Sequence, residues 1–279
     1  WKAQRQVRDQ LGLRPIEHNG ICQRWKWLKT KKKPTKAETV FRFRFRVKDK
    51  PQTPIYLVLE GPQHFSIKLN EEEVLNQPEG WYIDKSFFKI RLPEVEVGEN
   101  ILTLTCQYKD EMEVEDCYLT GDFGVNANTL EIITEPETLH SGDWCLQGYP
   151  FYAGSMIYKY TQKMAPLQPG ERVFLRLGEY QASVIRIKVN QQEAGFIPWR
   201  SVDKIEITPF IHTGENIFEI EVVGCPKNLL GPYHHKPGKP LWTGCGEFRT
   251  EKERFTPDYV LVPYGLMGQV TVERFKVAD

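Results

Sequence analysis

One ordered set of landmarks occurs twice in this chain, and that repetition limits the fold more than any other feature. The first run is Phe65-Ser66-Ile67-Lys68-Leu69, then Asn70, Trp81, Asp84, the stretch Phe88 to Leu92, Gly98-Glu99-Asn100 and Ile101 to Thr105. The second is Val184 to Val189, then Asn190, Trp199, Asp203, Ile205 to Phe210, Gly214-Glu215-Asn216 and Ile217 to Val222. Corresponding residues lie 116 to 120 positions apart. Each run opens and closes on residues alternating apolar and polar, the period of a half-buried strand. A chain of 279 residues with two copies at that spacing reads as a duplication, two tandem all-β domains of ordinary size.

The expected divisions are an N-terminal segment over 1–38, a first β-sandwich over 39–135 and a second over 136–279. The second carries an irregular insertion over 224–262. Near the start, Val7, Leu11 and Leu13 are spaced for a short helix. From Val40 the alternation is strict: Phe41, Phe43, Phe45 and Val47 face one way, Arg42, Arg44 and Arg46 the other. Three arginines on an open face suggest an anion site. The plainer reading is a solvated face paired with Glu or Asp of a neighbouring strand. The junction around 135–150 holds Pro136, Gly142, Gly148 and Pro150. The insertion is dense in Pro and Gly, which argues against regular structure there.

Charge argues against one class of partner. Lys and Arg number 37, as do Asp and Glu, so the chain lacks the basic excess that nucleic-acid binding demands. Trp25, Trp27 and the run Lys29-Thr30-Lys31-Lys32-Lys33 read as a solvated loop rather than a phosphate-backbone contact. No apolar run is long enough to span a membrane. The chain begins at Trp1 without Met, and is expected to be a piece of a longer protein. Six cysteines stand at 22, 106, 117, 145, 225 and 245 with no Cys-x-x-Cys. Cys106 and Cys117 flank a turn and could face each other, and Cys225 and Cys245 bracket a loop. Disulfides and buried thiols both remain open.

The carboxylates singled out by the repeat have structural uses. Glu99 and Glu215 sit in tight turns before strands. Asp84 and Asp203 stand at connections, where capping or turn roles lead and structural calcium is the alternative. No cofactor is expected beyond that calcium. No Gly-x-Ser-x-Gly elbow, His-Glu-x-x-His helix or phosphate-binding loop is present. His234-His235 invites a metal reading, but adjacent loop residues rarely aim both rings at one ion. Sugars are held by apolar faces stacked on aromatic rings, with polar groups for their hydroxyls. Trp199, Tyr233, His234, His235 and Trp242 supply both kinds and form the candidate carbohydrate-binding set. The competing reading has Trp199 and Trp242 pinning the insertion down as a minor core. Trp81 and Tyr82 are a second candidate.

The succession of strand, Asn-containing hairpin, Trp, Asp and Gly-Glu-Asn resembles the galactose-binding-like jelly-roll domains attached to glycoside hydrolases of family 2 and its relatives. In the second copy, Val189-Asn190, Val202-Asp203, Gly214-Glu215-Asn216, Asn228-Leu229-Leu230-Gly231-Pro232-Tyr233-His234-His235 and Tyr264-Gly265-Leu266-Met267-Gly268 are similar to the C-terminal region of large α-L-rhamnosidase-like bacterial proteins. The resemblance covers about residues 40 to 279. It implies two accessory β-sandwiches downstream of a catalytic barrel, with acid and base upstream and no catalytic residue here. Family members carry Asn-Gly at the hairpin, where this chain has Asn70-Glu71 and Asn190-Gln191. The expectation is a non-catalytic part of a carbohydrate-active enzyme whose partner is carbohydrate or the parent's catalytic domain. It would be bacterial, with extracellular and cytoplasmic placement both open. A free-standing carbohydrate-binding or adhesion module is the alternative, and a glycoside hydrolase or lyase in its own right the third reading.

Overall fold

The computed structural model of the chain describes residues 2–13, 36–110, 112, 114–198, 202–236, 238 and 253–276. Trp25, Trp27, the basic run at 29–33, Trp199, Trp242, Cys22 and Cys245 lie outside them. The architecture is all-β, in sheets whose strands are almost all antiparallel. The chain divides into two compact units, Trp1–Pro136 with His234–Tyr259, and Glu137–Tyr233 with Val260–Asp279.

The first unit opens with helix α1 (Lys2–Gln10) and continues through β1 (Lys36–Val47), β2 (Tyr56–Glu60), β3 (Phe65–Leu69), β4 (Glu72–Glu73) and β5 (Pro78–Tyr82). It then runs through β6 (Asp84–Arg91), β7 (Gly98–Lys109), β8 (Tyr118–Thr120), β9 (Gly124–Val125) and β10 (Ile132–Ile133). One sheet has the order β4-β3-β7-β1-β10-β9 and the other β5-β6-β2-β8. Alternation decides the faces. Phe41, Ile67, Leu102 and Leu104 of the first sheet pack with Leu57, Leu59 and Ile90 of the second in one sandwich core. Each such side chain, fully buried, contributes about 1.5–3 kcal/mol.

Helix α1 docks on the end of β7 through a buried charge. Arg8 is fully buried, and its guanidinium donates to the Tyr108 hydroxyl at 3.2 Å, the Asp110 carbonyl at 2.9 Å and the Asp110 carboxylate at 2.7 Å. Gln4 adds a donor to the Tyr108 hydroxyl at 3.4 Å. Buried charges persist where they are paired in this way.

The second unit contains β11 (Ser155–Met164), β12 (Glu171–Leu177), β13 (Tyr180–Gln181), β14 (Val184–Val189), β15 (Gln192–Ile197) and β16 (Lys204–Glu206). It closes with β17 (Gly214–Val223), the one-turn helix α2 (Lys227–Leu230), β18 (Gly265–Leu266) and β19 (Val270–Lys276). Its sheets run β15-β14-β17-β11 and β16-β12-β19, with a small β13-β18 pair. Written in the same direction, β15-β14-β17-β11 takes its strands in the sequence roles of β4-β3-β7-β1, and β16-β12-β19 those of β6-β2-β8. Ile185, Ile187, Val189, Phe218, Ile220 and Val222 pack with Val173, Leu175 and Leu177 as its core.

Two expectations need adjustment. Cys106 and Cys117 are both free thiols. Cys106 lies on β7 in one sheet, whereas the strand after Cys117, β8, pairs β2 in the other, so the two do not oppose each other across a hairpin. The insertion is also less irregular than its Pro and Gly content suggests, since it holds α2 and an antiparallel bridge between His235 and Phe255.

Candidate functional site

The repeated landmarks build a buried latch. Asn70 follows β3 and Asn100 stands near the start of β7. The Asn70 amide donates to Asn100 Oδ1 at 2.9 Å, and Asn70 Oδ1 accepts the Ile101 N–H at 2.8 Å. Asn100, itself fully buried, accepts the Glu96 N–H at 2.9 Å and donates to the Glu96 carbonyl at 2.7 Å and the Gly98 carbonyl at 3.3 Å. The second unit repeats each bond. Asn190 donates to Asn216 Oδ1 at 2.8 Å and accepts the Ile217 N–H at 2.9 Å. Asn216, also fully buried, accepts the His212 N–H at 2.9 Å and donates to the His212 and Gly214 carbonyls at 2.7 and 3.0 Å.

Both latches depend on left-handed backbone. Gly98 and Gly214 have φ of 105° and 98°, which a side chain rarely tolerates. The hairpin residues Asn70-Glu71 and Asn190-Gln191 have φ of 49° and 67°, and 50° and 67°, the pattern of a two-residue turn with both central residues left-handed. Asn accepts that conformation, whereas Glu71 and Gln191 occupy it at a steric cost. Glu99 and Glu215 are exposed on the strand starts beside the latches.

The acids flagged at the connections are engaged locally. Asp84 Oδ1 accepts the Ser86 N–H at 2.8 Å and the Ser86 hydroxyl at 2.7 Å, and these bonds hold its carboxyl below the usual carboxylate range. Asp203 pairs with Arg176, which Glu273 holds from the other side at 2.7 Å. Among the described residues no three His, Cys, Asp or Glu side chains gather as a metal site.

The stem of the insertion is clamped to the second sandwich. Asn228 of α2 is almost fully buried, donating to the Val262 carbonyl at 2.7 Å and accepting the Val262 N–H at 2.8 Å. Cys145 Sγ lies 3.4 Å from the same carbonyl, and Cys225 Sγ 2.5 Å from the Tyr264 hydroxyl. The Tyr264 ring packs on the buried Trp144, centroids 5.5 Å apart. Burial, with Asp143 nearby, pushes the Cys145 thiol up to about 12, so it is a packing residue rather than a nucleophile.

Of the candidate carbohydrate residues, Tyr233, His234 and His235 fall among the described ones. Tyr233 belongs to the second unit. Its hydroxyl donates to the Leu229 carbonyl, and its ring meets Phe151 edge-on at 5.8 Å. His234 and His235 belong to the first unit. The His234 ring packs at 4.7 Å from Tyr259 and 5.9 Å from Phe255, with Nδ1 3.2 Å from the Asp258 carbonyl. All three are half-buried. Phe255, Asp258 and Tyr259 are partners that sequence reasoning missed; their spacing has no period to reveal them.

Trp81, the second candidate, is different. It is 54% exposed on β5, opposite Phe88 of β6. At the tip of that hairpin Ile83 has φ of 64°, a left-handed conformation that a β-branched residue rarely adopts. A ring held outward on a short hairpin can stack on the apolar face of a sugar. No helix among the described residues is long and apolar enough to cross a membrane.

No family model matches the chain, and no curated protein sequence matches it. Solved structures do. A rhamnosidase from Novosphingobium sp. PP1Y matches at 15% identity over 85% of this chain and 23% of its own, with a TM-score of 0.35. The β-D-glucuronidase of Dictyoglomus thermophilum matches at 17% identity over 87% of this chain and 29% of its own, with a TM-score of 0.29. A lectin from Pleurotus ostreatus matches at 11% identity over 68% of each chain, with a TM-score of 0.23. The chain spans less than a third of the length of the two enzymes. Likeness at this level speaks to neither reaction nor ligand.

Proposed function

We propose that this chain is a tandem pair of duplicated, galactose-binding-like jelly-roll sandwiches from a carbohydrate-active enzyme, and that its work is non-catalytic: supporting a catalytic domain, holding carbohydrate, or both. The observation that carries the reading is the paired latch. The landmarks that define the repeat, Asn70 with Asn100 and Asn190 with Asn216, are occupied bond for bond in holding backbone. Two other acids of the repeat are likewise engaged, Asp84 by Ser86 and Asp203 by Arg176. A motif used in this way is a folding device. Glycoside hydrolysis instead needs two free carboxyls facing one bond across about 5–9 Å.

The exposed Trp81 favours a contribution from carbohydrate binding itself. Two assays on the purified chain test the reading. Incubation with a panel of aryl glycosides is expected to give no turnover above buffer. Turnover that disappears on substituting a single carboxylate would overturn the proposal. Binding to a glycan array is expected to fall at least tenfold in Trp81→Ala. The support role alone remains if the wild-type chain binds none of the glycans.

A further inference from the structure

A second feature has no place in that reading: the outer edge of β1. The Asn70 N–H donates to the Ile101 carbonyl at 3.0 Å, so the backbone groups of Ile101 on β7 face β3. Alternation then turns those of Leu102 and Leu104 toward β1, opposite Phe43 and Phe41. On β1 itself the groups of Glu38, Val40, Arg42 and Arg44 must therefore point away from β7. The Lys48 N–H, in the same alternation, does so and donates to the Ile132 carbonyl at 2.8 Å. β10, however, meets β1 only at Val47. From Glu38 to Arg44 the outward groups have no strand partner among the described residues.

The side chains beside this edge are exposed on both faces. Phe43 shares the inward face with Phe41 and Val47, which are 6% and 1% exposed, yet is itself 37% exposed. On the outward face Val40 is 41% exposed. Among the described residues, two of the three arginines lack the expected acidic partners. Arg46 pairs with Glu131 at 3.1 Å. Arg42 and Arg44 face Thr103 and Ile101 on β7, and neither has an ion-pair partner among the described residues. Lys68 of β3 lies in the same row, opposite Thr103. In the second unit Lys159 of β11, the edge strand of its sheet, is neutralised by Glu219 at 2.7 Å.

We propose that the Glu38–Arg44 edge of β1 is a docking site for an extended, acidic segment of a partner polypeptide, added as a further strand of the sheet. Backbone pairing supplies the register. Acidic side chains at alternate positions meet Arg42 and Arg44, and the apolar ones between them cover Phe43. A second copy of this chain is the poorer fit, because antiparallel self-pairing centred on Phe41 sets Glu38 opposite Arg44 but leaves Arg42 opposite Val40, whereas an acidic segment answers both arginines.

The test uses the full chain and a fluorescent peptide of about eight alternating Glu and Val residues, long enough at ~3.4 Å per residue to span the edge. A Lys and Val counterpart is the control. The acidic peptide is expected to bind, and to weaken as salt rises. Arg42→Pro deletes an outward N–H without touching the β7 ladder, so it should keep the wild-type circular dichroism and bind at least tenfold more weakly. Arg42→Glu with Arg44→Glu, which leaves the backbone intact, should reverse the preference between the peptides. Equal binding of both peptides, absence of binding, or unchanged affinity in a folded Arg42→Pro chain would overturn the proposal. So would a wild-type dimer that Arg42→Pro dissolves, since that makes a second copy the occupant.

Discussion

Truncating Asn216 is the sharpest test of the latch. Its amide offers two donors and two lone pairs, and all four are used: by the His212 N–H, the Asn190 amide, and the His212 and Gly214 carbonyls. Asn216→Ala removes four bonds worth about 0.5–1.5 kcal/mol each and strands buried groups on the other side. Allowing for water that enters the space, the expected loss is about 3–4 kcal/mol. With a urea m value of about 1.5 kcal/mol per molar, the midpoint for this unit moves down by about 2 M, read by circular dichroism. Asn216→Asp adds a pH signature. Its carboxyl would keep the two acceptor positions and, when ionised, face two carbonyl oxygens. Burial and those dipoles raise its folded pKa above the unfolded value of about 3.9. The folded state then binds the proton more tightly. The Asp variant should therefore gain stability relative to the Ala variant as pH falls through the raised pKa, and lose it as pH rises. A loss below about 1 kcal/mol for Asn216→Ala, or a pH-independent difference between the variants, refutes the reasoning.

Four further outcomes follow from the geometry. Gln191→Gly relieves a left-handed residue at φ 67° and should be neutral or stabilising by about 0.5 kcal/mol, while Gln191→Val should cost about 1–2 kcal/mol in urea unfolding. Arg8→Met leaves Asp110 partly buried without its cation and should cost about 3 kcal/mol, with α1 losing amide-exchange protection first. Burial, with Asp116 beside it, pushes the Cys117 thiol up to about 12; in native protein near neutral pH iodoacetamide should spare Cys117 and Cys145, and mass mapping should find both modified after unfolding. The depressed carboxyl of Asp84, held down first by the Ser86 N–H and then by its hydroxyl, favours the fold above its unfolded pKa, an effect lost as pH falls through the folded one; Ser86→Ala keeps the N–H bond and should raise it only part of the way in an NMR titration.

What the sequence revealed and what it concealed divide along a physical line. Alternation is local, so the faces of β1 and β14 could be read directly: Phe41 and Val47 are buried, as are Ile185, Ile187 and Val189. The repeat of Asn and Gly-Glu-Asn marked the right residues, because left-handed backbone narrows the choice of residue type. Partnership across strands is not local. The arginines of β1 were assigned to one face correctly, but whether acids oppose them depends on register, and register put Thr103 and Ile101 there instead. Cys106 and Cys117 were near in sequence, but the strands that carry and follow them pair in different sheets and both thiols stay free. Arg8 in a charged helix gave no sign that it would be the buried one.

The latch and the open edge are connected through that same register. A one-residue slip of β3 against β7 would turn every side chain of β3 over, and Asn70, bonded to both Asn100 and Ile101, is placed where it forbids the slip. On the other edge of β7, the ladder with β1 pairs Phe43 with Leu102 and Arg42 with Thr103. That ladder sets which backbone groups of β1 face outward and which side chains flank them, and the latch residue Asn100 is one of its members, opposite Phe45. If the proposed strand addition is correct, loosening the latch should be felt at the edge. Asn100→Ala, under conditions where the chain remains folded, should weaken the acidic peptide without altering any residue that touches it. Unchanged affinity would mean that β1 holds its register by the long β7 ladder alone.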